Sequence, residues 1–182
     1  MLFRSPFNTS VQNLYNRYGE LLRRFERDQD STLQGKAVSD SDLVILGMGR
    51  VGQGAYNYLK QNYDGSIIGV EDNLEKATEL QELGYNCIQG DANDQNFWTT
   101  ANLDECQLVL VSLTNHSENL SVVKTLRQFG YNNRLAVIAR YPDEREELLS
   151  MGCISFNLYG EAGHGFAEHV MTEIGAGPSA GL

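Results

Sequence analysis

The chain has 182 residues, with 14 Lys and Arg against 24 Asp and Glu and a formal charge of −10. That length suits one domain with room for a sizeable core. A 41% hydrophobic and 21% charged composition is that of a globular chain, not a disordered one. The first 40 residues are close to neutral and the acidity falls on the rest. Such a body repels nucleic acid and anionic lipid, which bind through clustered Lys and Arg. It does not exclude a small phosphorylated ligand, which a few local dipoles can hold.

No apolar run approaches the roughly 18–20 residues that span a bilayer, and the start MLFRSPFNTS lacks a signal-peptide core. Cys87, Cys106 and Cys153 are odd in number, widely spaced and without a CxxC, so they suggest buried small apolar residues in a reducing compartment and neither a disulfide framework nor a zinc site.

Residues 11–25 open the chain with a helical stripe of Val11, Leu14, Tyr15, Tyr18, Leu21, Leu22 and Phe25, recurring at three- and four-residue steps. Residues 28–42 are polar and aperiodic, as in a linker. Short apolar runs then recur at 43–48, 66–71, 86–90, 108–113 and 135–140, with a sixth at 153–157. Their near-continuous apolar character suits strands buried on both faces of a parallel sheet. Helical spacing appears between them at 51–62, 73–83, 116–129 and 144–151, and again at 162–174. Asp72 with Glu75 and Asn115 with Glu118 form possible capping pairs, and Pro142 suits a first helical turn. Strands alternating with helices predict an α/β fold: a doubly wound, mostly parallel, six-stranded Rossmann-like sheet with helices on both faces, preceded by the N-terminal amphipathic helix. The expected division is 1–41 helix and linker, 42–160 Rossmann-like domain, and 161–182 C-terminal helix and tail.

The informative motif is Gly47-Met48-Gly49-Arg50-Val51-Gly52. This G-x-G-x-x-G directly follows an expected strand and opens an expected helix, the context that gives it meaning. Gly47 permits the tight turn, Gly49 lets a phosphate approach the backbone, and Gly52 lets the helix pack close to the strand. Free N–H groups at the helix start would face the phosphate. Arg50 either clamps phosphate oxygens or is solvated. The second strand ends at Glu71, placed to accept hydrogen bonds from ribose hydroxyls and to repel a 2′-phosphate; Asp72 is assigned chiefly to the helix cap. Asp91 and Ala92 follow the third strand. Asp91 takes either the adenine amino group or a capping role. Ser112, Leu113 and Thr114 close the fourth strand beside the phosphates, and Arg140 closes the fifth, where an ion pair with Glu144 or a contact across an interface is expected.

Catalytic candidates are few. His116, His164 and His169 are scattered, and the five-residue step between the last two does not put a zinc pair on one helical face. No G-x-S-x-G, H-E-x-x-H or P-loop occurs. The residues after 42 are consumed by the sheet, leaving none for the substrate domain that a dehydrogenase usually adds. An NAD-dependent oxidoreductase, with His116 as its acid–base group, is the alternative to a binding module.

Across residues 42–160 the strings LVILGMGRVGQGAYNYL, IIGVEDNLEKATELQELGYNCIQGDANDQNFW and LVLVSLTNHSENLSVVKTLRQFGYNNRLAVIARYPDEREELLSMGC resemble the KTN/RCK (TrkA-N type) nucleotide-binding domain. The flavour is that of the cytosolic domain of Kef-type potassium/proton antiporters. The resemblance implies a regulatory site for AMP, NAD(H) or a related adenine nucleotide, without catalysis; no metal is expected from the cysteine and histidine spacing. By that resemblance Gly47, Met48, Gly49, Arg50, Val51 and Gly52 surround the phosphates and Glu71 holds the ribose. Asp91 and Ala92 sit by adenine, and Thr114 lies near the phosphate or the second nucleotide half. It further implies a homodimer acting on a membrane cation transporter or antiporter, from the cytoplasmic face.

Overall fold

The computed structural model describes residues 36–175. The expected amphipathic helix at 11–25 lies outside those residues. Six strands, β1 (Leu43–Leu46), β2 (Ile67–Glu71), β3 (Cys87–Gln89), β4 (Leu108–Val111), β5 (Arg134–Ala139) and β6 (Ile154–Asn157), pair in the order β3-β2-β1-β4-β5-β6. Every pairing is parallel, so the all-parallel, Rossmann-like α/β sheet matches the sequence reading. The chain reverses its direction of growth between β1 and β4, the switch point where α/β sheets open a crevice at the carboxyl ends of their strands.

Five helices connect these strands, α1 (Arg50–Asn62), α2 (Leu74–Glu82), α3 (Gln95–Thr100), α4 (His116–Gln128) and α5 (Pro142–Ser150), and α6 (Leu158–Glu173) follows the last. Side chains alternate across each strand. One face of the sheet carries Val44, Leu46, Val70, Val109, Val111, Leu135 and Val137, sealed by Phe97 and Trp98 of α3, Val122, Val123 and Leu126 of α4 and Leu148 of α5. Trp98 is buried with its Nε1–H donated to the Ala92 carbonyl at 2.8 Å, so its polar edge is satisfied. The opposite face carries Leu43, Ile45, Ile67 and Cys87 under Tyr56 of α1 and Ala77 and Leu80 of α2.

Several local expectations change. Asn73, not Asp72, caps α2: its side chain accepts the Lys76 N–H, while Asp72 is exposed. Residues 91–107, given no helix range from sequence, hold α3, capped by Asp94. Asp91 instead closes a tight turn by accepting the Asn93 N–H at 2.8 Å. Helix α6 starts at Leu158, four residues before the expected 162, because Asn157 caps it directly from the end of β6. Asn115 caps α4 and Pro142 opens α5 as anticipated. Arg140 lies 3.8 Å from Glu144, the ion pair named as one option from sequence.

The helix that follows β1 packs very close. A Cβ on Gly52 would strike the Gly47 carbonyl oxygen and come within 2.9 Å of Ser112 Oγ. Gly52→Ala is expected to cost about 1–3 kcal/mol, as overpacking of a tight interior does; a melting temperature equal to the parent's would refute this. All three cysteines are buried, and loss of solvent pushes each thiol up, Cys87 to about 11. They are therefore protonated at pH 8. Thiol reagents should label the folded chain slowly and all three sites quickly in denaturant, measured by absorbance or mass.

Candidate functional site

At the switch point lies a cleft of about 350 Å³, bordered by Gly47 and Gly49, by Glu71, Asp72 and Lys76, by Asp91 and Ala92, and by Leu113 and Thr114. It brings together the carboxyl ends of four strands, as a doubly wound sheet requires. Ser112 and Glu118 complete the wall on the β4 side.

The floor is the glycine turn. Gly47 has φ +86, a left-handed conformation open to glycine without strain. Its N–H is donated to the Val70 carbonyl at 2.9 Å, and its carbonyl accepts the Ser112 hydroxyl at 2.7 Å. The same hydroxyl lies 3.1 Å from the Leu46 carbonyl. Ser112 thus ties the end of β4 to the end of β1 and holds the turn in place. Gly49 caps α1 without any side-chain hydrogen bond, so the first N–H groups of the helix have no side chain covering them. A Cβ on Gly49 would meet nothing within 4 Å, which leaves the approach to those groups open. Backbone donors at a helix start, with the dipole behind them, form an anion site.

The wall on the β2 side is Glu71. Its residue is 5% exposed, yet it borders the cleft. One carboxylate oxygen, Oε2, accepts the Met48 N–H at 3.1 Å and the Lys76 ammonium at 2.6 Å. A buried carboxylate needs such partners, because desolvating an uncompensated charge is costly. The second oxygen, Oε1, makes only a long 3.5 Å approach to the Asn73 N–H and retains acceptor capacity.

The residues named from sequence separate into two sets. Gly47, Gly49, Glu71, Asp72, Asp91, Ala92, Ser112, Leu113 and Thr114 all border the cleft. Met48 points its side chain into the core, wholly buried against Gly69, and faces the site only through its backbone. Arg50 is exposed on the first turn of α1. Val51 lies on a different groove, and Gly52 supports the turn from behind. His116 pairs with Glu147 of α5 at 2.9 Å and is not on the cleft wall. Lys76 was not singled out from sequence, and among the described residues it is the sole Lys or Arg on the wall against Glu71, Asp72, Asp91 and Glu118. Its signal was the Glu71-to-Lys76 spacing across a helix start, visible only once Asn73 is known to be the cap. Among the described residues no group of three His, Cys, Asp or Glu is arranged to hold a metal ion, and no helix is long and apolar enough to cross a membrane.

The same architecture appears in solved structures. The NAD(P)-binding domain of an exopolyphosphatase-related protein from Archaeoglobus fulgidus matches with a TM-score of 0.66 at 20% identity, over 72% of this chain and 98% of that one. The TrkA-N domain of the inner membrane protein ybaL from Escherichia coli matches at 0.61 and 21%, over 70% and 95%. The Kef CTD of Shewanella denitrificans, in AMP-bound form, matches at 0.59 and 16%, over 73% and 81%. At such identities the likeness is one of fold. The sequence itself matches the TrkA-N domain model over residues 43–156, the whole span from β1 into β6, and the chain belongs to the TrkA-N domain family.

Proposed function

We propose that this chain is a regulatory adenine-nucleotide-binding domain that takes AMP or NAD(H), catalyses nothing itself, and controls a potassium or other cation transport system. The observation that carries the reading is one cleft combining an uncovered helix start at Gly49 with a buried acceptor at Glu71. The first suits phosphate and the second suits ribose. On this reading the backbone of Gly47–Gly52 receives the phosphates. Asp91 and Ala92 flank adenine, and Ser112, Leu113 and Thr114 line the path toward a second nucleotide half. Four wall carboxylates against one ammonium favour ligands of modest charge, so AMP and NAD(H) should bind better than ATP or a 2′-phosphorylated dinucleotide. Membership in the TrkA-N family and the resemblance to Kef-type domains support action from the cytoplasmic face on a membrane transporter or antiporter.

A homodimer is part of the proposal. Among the described residues, α1 and α2 alone cover their face of the sheet, over β1–β3. Beyond them Leu110, Ala136, Ile138, Ile154 and Phe156 line an apolar groove of about 200 Å³. Helix α6, which would be expected to fold back there, starts at β6 with no linker residue, shorter than βα turns ordinarily allow. None of its residues is buried, although Phe166, Val170 and Ile174 recur along one stripe. A second copy's α6 seated reciprocally in each groove would bury both surfaces under twofold symmetry.

Calorimetry of the purified chain against AMP, ADP, ATP, NAD⁺, NADH and NADPH tests the first part. AMP and NADH are expected to bind, and Glu71→Ala to weaken both by roughly 1–3 kcal/mol, the cost of losing hydrogen bonds to a charged group. Gly49→Ala should leave the melting temperature unchanged and lower nucleotide affinity. Affinities weaker than millimolar for all six would end the proposal. For the second part, sedimentation should give a dimer that becomes a monomer in Phe156→Asp. A monomeric parent chain rejects the dimer, and an unaltered mass in the variant rejects this surface.

A further inference from the structure

The ribose end of the cleft carries a cation as well as an acid. Asn73 accepts the backbone N–H of Lys76 at 2.9 Å and so fixes where Lys76 leaves the first turn of α2. The side chain returns to the end of β2, where its ammonium meets Glu71 Oε2 at 2.6 Å. Lys76 is 38% exposed against 6% for Glu71, so it forms the outer edge of the pair, on the cleft side. An ammonium has three donors. One engages Glu71, and among the described residues no other acceptor is recorded for it.

A ribose diol presents two O–H donors and also hydroxyl oxygens that accept. A carboxylate can only accept. Alone it would satisfy the hydroxyl hydrogens and leave the oxygens without a protein donor. An ammonium beside it supplies that donor. The pair is held rigidly: Met48 N–H fixes Oε2 from the glycine turn, and Oε1 remains free to take a hydroxyl hydrogen. We infer that Lys76 is a second ribose-reading residue, which donates to the diol while Glu71 accepts from it, and that this site selects adenine nucleotides bearing a free 2′-hydroxyl. The inference rests on the nucleotide reading above and deepens it. A site built to hydrogen-bond a hydroxyl rejects the analogue that lacks one, because its own polar groups are then left unpaired.

The test is a ratio of affinities, AMP against 2′-deoxy-AMP, measured by calorimetry on the full chain. The parent should favour AMP roughly tenfold to a hundredfold, the worth of hydrogen bonds to charged groups. In Lys76→Met the preference should fall to roughly threefold or less, and Lys76→Arg should restore part of it. A Lys76→Met chain that loses affinity for both nucleotides equally, with the ratio intact, would show Lys76 to be only a counter-ion for Glu71 and would overturn the inference. Should that variant not fold, acetylation of the parent chain decides. AMP should shield Lys76 more than 2′-deoxy-AMP does, relative to the exposed Lys36, Lys60 and Lys124; equal shielding also overturns it. Failure of the parent to bind any adenine nucleotide is a separate result, which removes the nucleotide reading itself.

Discussion

The close approach of α1 to the end of β1 is the constraint on which the rest depends. Gly52 has room for no Cβ against the Gly47 carbonyl, so the helix lies as near the strand as backbone allows. That contact points the first turn of α1 at the crevice between β1 and β4. The turn could not persist alone, because Gly47 is in a left-handed conformation and glycine gives up much chain entropy when fixed. Ser112 holds it, bonding both the Gly47 and Leu46 carbonyls from the neighbouring strand. The same side chain borders the cleft. Sheet register, turn geometry and the shape of the site are therefore one set of interactions.

Charge is the second organising feature. Glu71 is a carboxylate on a buried strand end, and it is stable there because two different elements supply donors. Met48 N–H comes from the glycine turn and the Lys76 ammonium from α2. The acid therefore braces the cleft on the β2 side as Ser112 does on the β4 side. Asp72 and Asp91, by contrast, are exposed and add negative potential, Asp91 with only the Asn93 N–H of its own turn as donor. Four of the chain's acids, Glu71, Asp72, Asp91 and Glu118, line the cleft, and under the proposed function they would weigh against heavily charged nucleotides.

The sheet was legible in the sequence because buried parallel strands are nearly continuous apolar runs. Leu43–Leu46 and Leu108–Val111 are plain even without periodicity. The glycine turn was legible because three different steric demands fall at fixed spacing. What escaped has physical reasons. Helix α3 spans Gln95–Thr100, too short for a periodic stripe, and its buried residues Phe97 and Trp98 are adjacent. Asp72 has Glu75 three positions on, the spacing of a capping box, whereas Asn73 has Lys76 there, so the pattern pointed to the wrong neighbour. The strand end separates the two, by committing residue 71 to the core and leaving Asn73 at the turn. Lys76 was hidden by the same one-residue ambiguity. The start of α6 was masked by Gly160, Gly163 and Gly165, which dilute its apolar pattern.

The unfilled groove and the cleft share an element. Val51 lines the groove from the first turn of α1, and Ser112 borders both cavities. That turn also presents the N–H groups available to a phosphate. A helix seated on the groove and an anion at the helix start would thus press on one short rigid segment from opposite sides. Were a shift of α1 to improve one contact and alter the other, the two binding free energies would be linked, and linked equally in both directions. Tight packing at Gly52 would favour such linkage, since a segment with little slack transmits displacement instead of absorbing it. Under the proposed function, a nucleotide held on this turn would therefore report to whatever occupies the groove.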